Sequence, residues 1–233
     1  MIKIAVFDLD GTLVNSLTDL ALSVNKGLKA AGLEEHPVNR YKTFVGNGRE
    51  LLVKRAMGDA AGDAEKFELV RSVFNDEYKL HCNDNTEAYE GCAEMLDILS
   101  EKGILTAVLS NKPDEFVDRI LQKLYPDHTF SAAWGQKPEY KCKPDGESLQ
   151  AMLAQFNISP DECMYIGDDL IDLAPLRLAG IGVAVGDAVE EAKLCADWIM
   201  EHNGGKGAVR EAATRLLKEK DLWEAILQDY LDR

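Results

Sequence analysis

Two carboxylates one residue apart, Asp8 and Asp10, follow directly on an apolar run from Ile2 to Phe7 that only Lys3 interrupts. Such a run, partly β-branched, has the composition of a buried strand. A carboxylate carried into the interior is costly unless something compensates its charge. Asp8 and Asp10 must therefore face solvent, hold protons, or gather around a cation. Other polar residues stand at comparable positions. Ser110-Asn111-Lys112 ends the apolar run Ile104–Leu109, and Gly167-Asp168-Asp169 ends Cys163–Ile166, with Asp172 one helical turn later. Lys143-Pro144 opens a helical pattern that leads back to that strand. Two or three carboxylates with a backbone carbonyl form an oxygen-only site that suits Mg²⁺. A cation, a lysine and a Ser-Asn pair supply charge and donors for the oxygens of a phosphoryl group. One aspartate can then attack phosphorus, while the other donates a proton to the leaving oxygen and later takes one from water.

These residues meet only if their strands lie side by side. After Phe7, the pattern predicts a helix over Ser16–Ala31, with Ser16-x-x-Asp19 as a capping box and Gly32 to close it. Further helices are expected at Glu50–Met57 and Ala64–Leu80, and no good strand lies between Ser16 and about Asn83. From there, helices at Cys92–Lys102, Pro113–Leu124, Pro144–Asn157, Leu170–Ala179 and Val189–Leu194 alternate with strands at Ile104–Leu109, Cys163–Ile166, Ile181–Val185 and Trp198–Met200. This alternation predicts an α/β fold, a doubly wound parallel sheet core with an inserted all-helical cap. Residues 1–15 and 84–233 would form the core and 16–83 the cap. In such a sheet the carboxyl ends of neighbouring strands converge, and an inserted cap covers the site they form. A last amphipathic helix, Asp221–Leu231, is expected to dock on the core.

Composition narrows the partners. Acidic residues outnumber basic ones 41 to 26, for a formal charge of −15. Nucleic acid and anionic membranes select for basic patches, so neither is an expected partner. The five cysteines are scattered and include no C-x-x-C pair, which disfavours zinc sites and disulfide frameworks. With neither a signal-peptide pattern nor a long apolar run, the expected location is cytoplasmic. Monomer and dimer both remain open.

Asp8-x-Asp10-Gly11-Thr12, the strand-end Ser110, Lys143-Pro144 and Gly167-Asp168-Asp169-x-x-Asp172, in this order, resemble the haloacid dehalogenase superfamily, specifically its phosphatases. The stretches DGTLVNSLTDLALSVNKGLKAAGL, FVGNGRELLVKRAMG and LSNKP are further similar to the phosphoglycolate phosphatase branch with an inserted helical cap. The likeness runs over nearly all of residues 1–200. It implies Asp8 as nucleophile and Asp10 as acid/base, with Mg²⁺ held by Asp8, Asp10 (through its carbonyl) and Asp168, and Asp172 in support. Ser110, Asn111 and Lys143 would hold the phosphate of a small phosphorylated metabolite, phosphoglycolate-like or a sugar phosphate. The cap loop Gly46-Asn47-Gly48-Arg49 would face the core and choose the substrate.

Three features depart from that branch. Asn15 stands where Asp is frequent, and Lys143-Pro144-Asp145-Gly146 replaces Lys-Pro-x-Pro. The tail from Gly186 to Leu217 looks instead like that of capless members acting on 3-deoxy-octulosonate phosphate. Lys143 is preferred over Lys137-Pro138 because it directly precedes a helix returning to the metal strand. Asp169 is read as structural. The alternatives are a sugar-phosphate mutase using the same phospho-aspartate, a dehalogenase, which would need neither Asp10 nor the acidic cluster, and a non-catalytic binding module on the same fold.

Overall fold

The computed structural model describes residues 1–45 and 48–232. The first strand, β1, spans Ile4–Phe7, and all four of its residues are fully buried. After β1 the chain makes a short strand β2 (Val14–Asn15) and enters three helices, α1 (Leu17–Ala30), α2 (Arg49–Met57) and α3 (Ala64–His81). It returns through β3 (Glu87–Ala88), then runs α4 (Cys92–Glu101), β4 (Leu105–Pro113), α5 (Asp114–Leu124), β5 (Ala132–Gln136) and α6 (Glu147–Gln155). The remainder is β6 (Cys163–Gly167), α7 (Leu173–Leu178), β7 (Ile181–Ala184), α8 (Glu190–Cys195), β8 (Trp198–Ile199), α9 (Ala208–Glu219) and α10 (Trp223–Leu231).

Six strands form one sheet in the order β5-β4-β1-β6-β7-β8, and every neighbouring pair is parallel. The chain moves outward on one side of β1 through β4 and β5, then crosses to β6 and moves outward on the other. β1 therefore sits where the strand order reverses, the position at which open α/β sheets form their clefts. Phe7 pairs in register with Val108 and Ile166, which brings the ends of β1, β4 and β6 to one level. One apolar cluster surrounds this sheet; a second joins α1, α2 and α3, with Val24, Leu28, Val53, Val70 and Phe74 inside it. Phe116 of α5 is the core residue that packs into the helical cluster.

The segment joining core and helices differs from expectation. β2 and β3 pair antiparallel, Val14 with Ala88 and Asn15 with Glu87, so both crossings run through one small ribbon. Strands of two residues leave no periodic trace in a sequence. Ser16-x-x-Asp19 is not a capping box, because Ser16 makes no side-chain cap to α1. The buried Asp19 carboxylate instead accepts from Asn85 N at 2.9 Å, Asn85 Nδ2 at 2.8 Å and Thr86 Oγ1 at 2.6 Å. Those contacts tie the start of the helical segment to its end.

Strand β5 and helix α9 were not predicted. β5 reads Ala-Ala-Trp-Gly-Gln, in which only Trp134 favours a strand, and the segment is ordered by pairing with β4. The expected helix over Leu170–Ala179 begins with a 3₁₀ turn, Leu170–Asp172, before α7. The expected helix over Pro144–Asn157 is shorter, as α6 starts only at Glu147. Ile226 of α10 is buried against the core while Leu231 is exposed, so α10 docks by one side.

Candidate active site

Asp8 is the first residue past β1, and its backbone N–H donates to the carbonyl of Ile166 at 2.9 Å. Its side chain is 4 % exposed. Oδ1 accepts a hydrogen bond from Lys143 Nζ at 2.7 Å. The same ammonium donates to Asp172 Oδ1 at 2.7 Å and to the Tyr165 hydroxyl at 3.0 Å. All three N–H donors of Lys143 are thus engaged, and the side chain lies beneath the cavity floor. Lys143, expected from the sequence to hold phosphate, here makes its hydrogen bonds to Asp8, Asp172 and Tyr165 and so holds the Asp8 carboxylate in place. Lys137 takes no part in the cluster and pairs with Asp114 at 2.8 Å.

Asp172 is fully buried and saturated. Oδ1 also accepts from Tyr165 Oη at 2.6 Å, and Oδ2 accepts the backbone N–H groups of Asp168 and Asp169 at 3.0 and 3.1 Å. It therefore shapes the loop that presents Asp168. Thr12 Oγ1 lies 3.4 Å from Asp168 Oδ1. Gly11, with φ of 91°, lets the loop after Asp10 pass close to Asp168; a Cβ there would come within 2.6 Å of Asp168 Oδ2. Asp169 caps the turn through Leu170 N at 2.6 Å, the structural part expected of it.

Carboxylate oxygens of Asp8, Asp168 and Asp172 lie within 4.8 Å of one another. Burial pushes the Asp8 carboxyl up to about 7, against the pull of Lys143 and with added repulsion from Asp172 and Asp10. Burial, then repulsion from Asp8 and Asp172, holds Asp168 well above the usual carboxylate range. For Lys143, burial opposes the ammonium, but Asp172 and Asp8 outweigh it and raise its pKa. One lysine among three carboxylates leaves an excess of buried negative charge. An all-oxygen cluster in that condition fits a hard divalent cation. Asp8 and Asp168 are the carboxylates left to hold one, since both oxygens of Asp172 are occupied.

Asp10 lines the same cavity as Asp8. Its Oδ1 accepts from Ser16 Oγ at 2.5 Å and pairs with Lys112 Nζ at 3.2 Å. Lys112 is buried, donates to the Tyr78 hydroxyl at 2.5 Å and sits 5.0 Å from that ring's centre. Burial works against the Lys112 charge, yet Asp10 and Tyr78 raise its pKa, while burial pushes Tyr78 up to about 12. Tyr78 belongs to α3, so a helical-cap residue reaches the acid/base candidate through one lysine. Ser110 lines the cavity, and its Oγ accepts the backbone N–H of Lys112 at 3.2 Å. Asn111 also lines it, but its amide nitrogen is committed to the Lys143 carbonyl at 2.7 Å, across the cis Lys143–Pro144 loop. Asn111 thereby positions Lys143.

The cavity measures about 920 Å³ and is walled by both the sheet end and the helices. Gly48 and Arg49 line it, whereas Gly46 and Asn47 lie outside the described residues. Arg49 is exposed and donates from Nη1 to Asn75 at 3.1 Å. Sequence reasoning placed Lys112 at a strand end but not its pairing with Asp10, and it missed Tyr78, Tyr165 and the tail residues 203–206 of the wall. Tyr78 and Tyr165 sit in apolar patterns that read as packing, and only the LSNKP stretch carried a hint of Lys112.

Residues 5–185 match the model of the haloacid dehalogenase-like hydrolase family. A phosphoglycolate phosphatase from Haemophilus influenzae is 35% identical over 187 residues, which cover 78% of this chain and 84% of that protein. An N-acetylmuramic acid 6-phosphate phosphatase from Pseudomonas aeruginosa is 31% identical over 194 residues, 78% of this chain and 80% of the relative. The crystal structure of a predicted phosphoglycolate phosphatase from Haemophilus somnus superposes with a TM-score of 0.77 at 32% identity, covering 86% of this chain and 94% of that one. No helix among the described residues is long and apolar enough to cross a membrane. The chain belongs to the haloacid dehalogenase-like hydrolases, on their phosphatase branch.

Proposed function

We propose that the chain is a Mg²⁺-dependent phosphatase that hydrolyses a small phosphorylated metabolite, phosphoglycolate-like or a sugar phosphate, through an aspartyl-phosphate on Asp8. The observation that carries this reading is Asp8 itself. It is a buried carboxylate at the end of the central strand, held by Lys143 through one oxygen, with no other protein hydrogen bond to its side chain among the described residues.

The second oxygen of Asp8 attacks phosphorus, and the bond from phosphorus to the leaving oxygen breaks. Asp10, on the cavity side, gives that oxygen its proton, and the alcohol departs. Asp10 then takes a proton from a water that attacks the phospho-aspartate at phosphorus, releasing phosphate and restoring Asp8. Lys143 favours the ionised Asp8 needed for the first step. Ser110 supplies a hydroxyl at the phosphate position. Asp8, Asp168 and the Asp10 carbonyl would hold Mg²⁺, which when bound supplies positive charge against the phosphoryl oxygens.

The test is phosphate release with Mg²⁺ over a panel of phosphoglycolate, sugar phosphates, nucleotides and 3-deoxy-octulosonate phosphate, run beside Asp8→Asn. Turnover that disappears in the variant supports the reading. Equal phosphate release by both chains would end it.

A further inference from the structure

The family match stops at residue 185, but the chain beyond it does not leave the site. Asn203, Gly204, Gly205 and Lys206 line the same cavity as Asp8 and Asp10. The approach is close. A Cβ on Gly204 would sit 2.3 Å from the Gly11 carbonyl oxygen, one residue past Asp10. Gly205 has a φ of 69°, and a Cβ there would come within 2.3 Å of the Tyr89 ring. Only a glycine pair permits the backbone to lie against the nucleophile loop in this way.

The loop is also fastened from three directions. Gly204 N–H donates to Asp187 Oδ1 at 2.7 Å, and Gly186 N–H donates to the His202 carbonyl at 2.8 Å. Glu211 of α9 accepts from the backbone N–H groups of Glu201 and His202, both at 3.0 Å, and from His202 Nδ1 at 2.8 Å. Lys206 N–H closes the turn on the Asn203 carbonyl at 2.9 Å. The core contributes two lysines to the cavity wall. Lys112 is taken up by Asp10 and Tyr78, whereas Lys206 is exposed and pairs with no acidic group among the described residues. In a chain of formal charge −15, an exposed ammonium on the wall of this cavity, with no acidic partner among the described residues, is placed to meet an anion.

We propose that the loop Asn203–Lys206 is a third wall of the active site, and that Lys206 binds a second anionic group on the leaving alcohol. Preferred substrates are then phosphate monoesters that carry a further negative charge. This rests on the phosphatase reading above and assigns to the tail a share of the selection expected of the helical cap alone.

The probes are phosphoglycolate and ethylene glycol monophosphate, which differ in a carboxylate against an uncharged hydroxymethyl group. In the full-length chain, phosphoglycolate should have the higher kcat/KM. Lys206→Met should shrink that preference roughly tenfold, mainly through KM, and Lys206→Arg should retain most of it. Gly204→Ala, which forces the loop off Gly11, should also shrink the preference in a chain that still unfolds cooperatively. An unchanged preference in Lys206→Met overturns the proposal, as does a parent chain that favours the uncharged ester. If neither ester releases phosphate in an Asp8-dependent way, the phosphatase reading fails first and this inference falls with it.

Discussion

Asp8, Lys143 and Asp172 are 4 %, 3 % and 0 % exposed, and the lysine hydrogen-bonds both acids. Around the mouth of the same cavity, Lys42, Arg49 and Lys206 are all exposed, and none has an acidic partner among the described residues. The contrast separates two tasks. Buried charges with every donor engaged are held at fixed positions by strand ends, which suits a phosphoryl group that is the same in every ester. Exposed, loosely held cations contribute little to stability and remain available to whatever alcohol the phosphate is attached to. The relatives fit this division. Proteins named for phosphoglycolate and for N-acetylmuramic acid 6-phosphate match the chain about equally well, at 35% and 31% identity.

The largest expected effect lies in the floor. Asp8→Asn should lower kcat by roughly 10⁴-fold, with circular dichroism and melting behaviour unchanged, because the nucleophile is removed and the shape kept. Turnover within tenfold of the parent would show that Asp8 is not the nucleophile. Chelation should come next, abolishing phosphate release until Mg²⁺ is returned. Ca²⁺ should inhibit, since its higher coordination number lets both Asp8 oxygens bind metal and withdraws the attacking one. Full activity in excess chelator would show that the acidic cluster is not a catalytic metal site.

Lys143→Met should both inactivate and destabilise, as it strands Asp8 and Asp172 together without a counter-charge. Breaking a buried pair of this kind costs about 3–5 kcal/mol, to be read from denaturant unfolding at neutral pH. A loss below ~1 kcal/mol would place the cluster among surface pairs.

Tyr78→Phe sharpens the border between the regions. It removes one hydrogen bond from Lys112, which in turn pairs with Asp10. A drop of about tenfold in kcat is expected for alkyl phosphates, whose leaving oxygen needs a proton, and a smaller one for aryl phosphates. Equal losses on both would mean that Tyr78 acts on the fold instead of on Asp10.

Arg49→Ala should have the smallest effect, two- to threefold in kcat/KM for phosphoglycolate. The guanidinium is exposed and already bonded to Asn75, so it must exchange that contact for a ligand. A fall of a hundredfold would place Arg49 in the catalytic or binding machinery, with the buried charges.

How far each region could be read from the residues follows the same line. Asp8, Asp10 and Asp168 stand at strand ends and Asp172 one turn later, all within short local patterns, so their meeting follows once a parallel sheet is inferred. What surrounds them does not, because the partners come from distant segments. Tyr78 and Lys112 are 34 residues apart, and Tyr165 looks like any aromatic of a buried strand. Local patterns also misled. Ser16 and Asp19 have the spacing of a capping box, but tertiary acceptors and donors, Asp10 for one and Asn85 with Thr86 for the other, win over the helix end. The tail differs in sequence from the phosphoglycolate branch, yet nothing in its residue types reveals that Gly204 lies on Gly11.

The covalent step is open to direct measurement in Asp10→Asn turning over an aryl phosphate, a substrate whose leaving group needs no acid. With the attacking water no longer deprotonated, the phospho-enzyme should accumulate. A burst of about one equivalent of phenolate per active site is expected. Acid quenching should then yield one phosphoryl group on the peptide that carries Asp8. Steady release with no burst and no labelled peptide, or a phosphoryl group on any residue other than Asp8, would contradict a covalent step on Asp8.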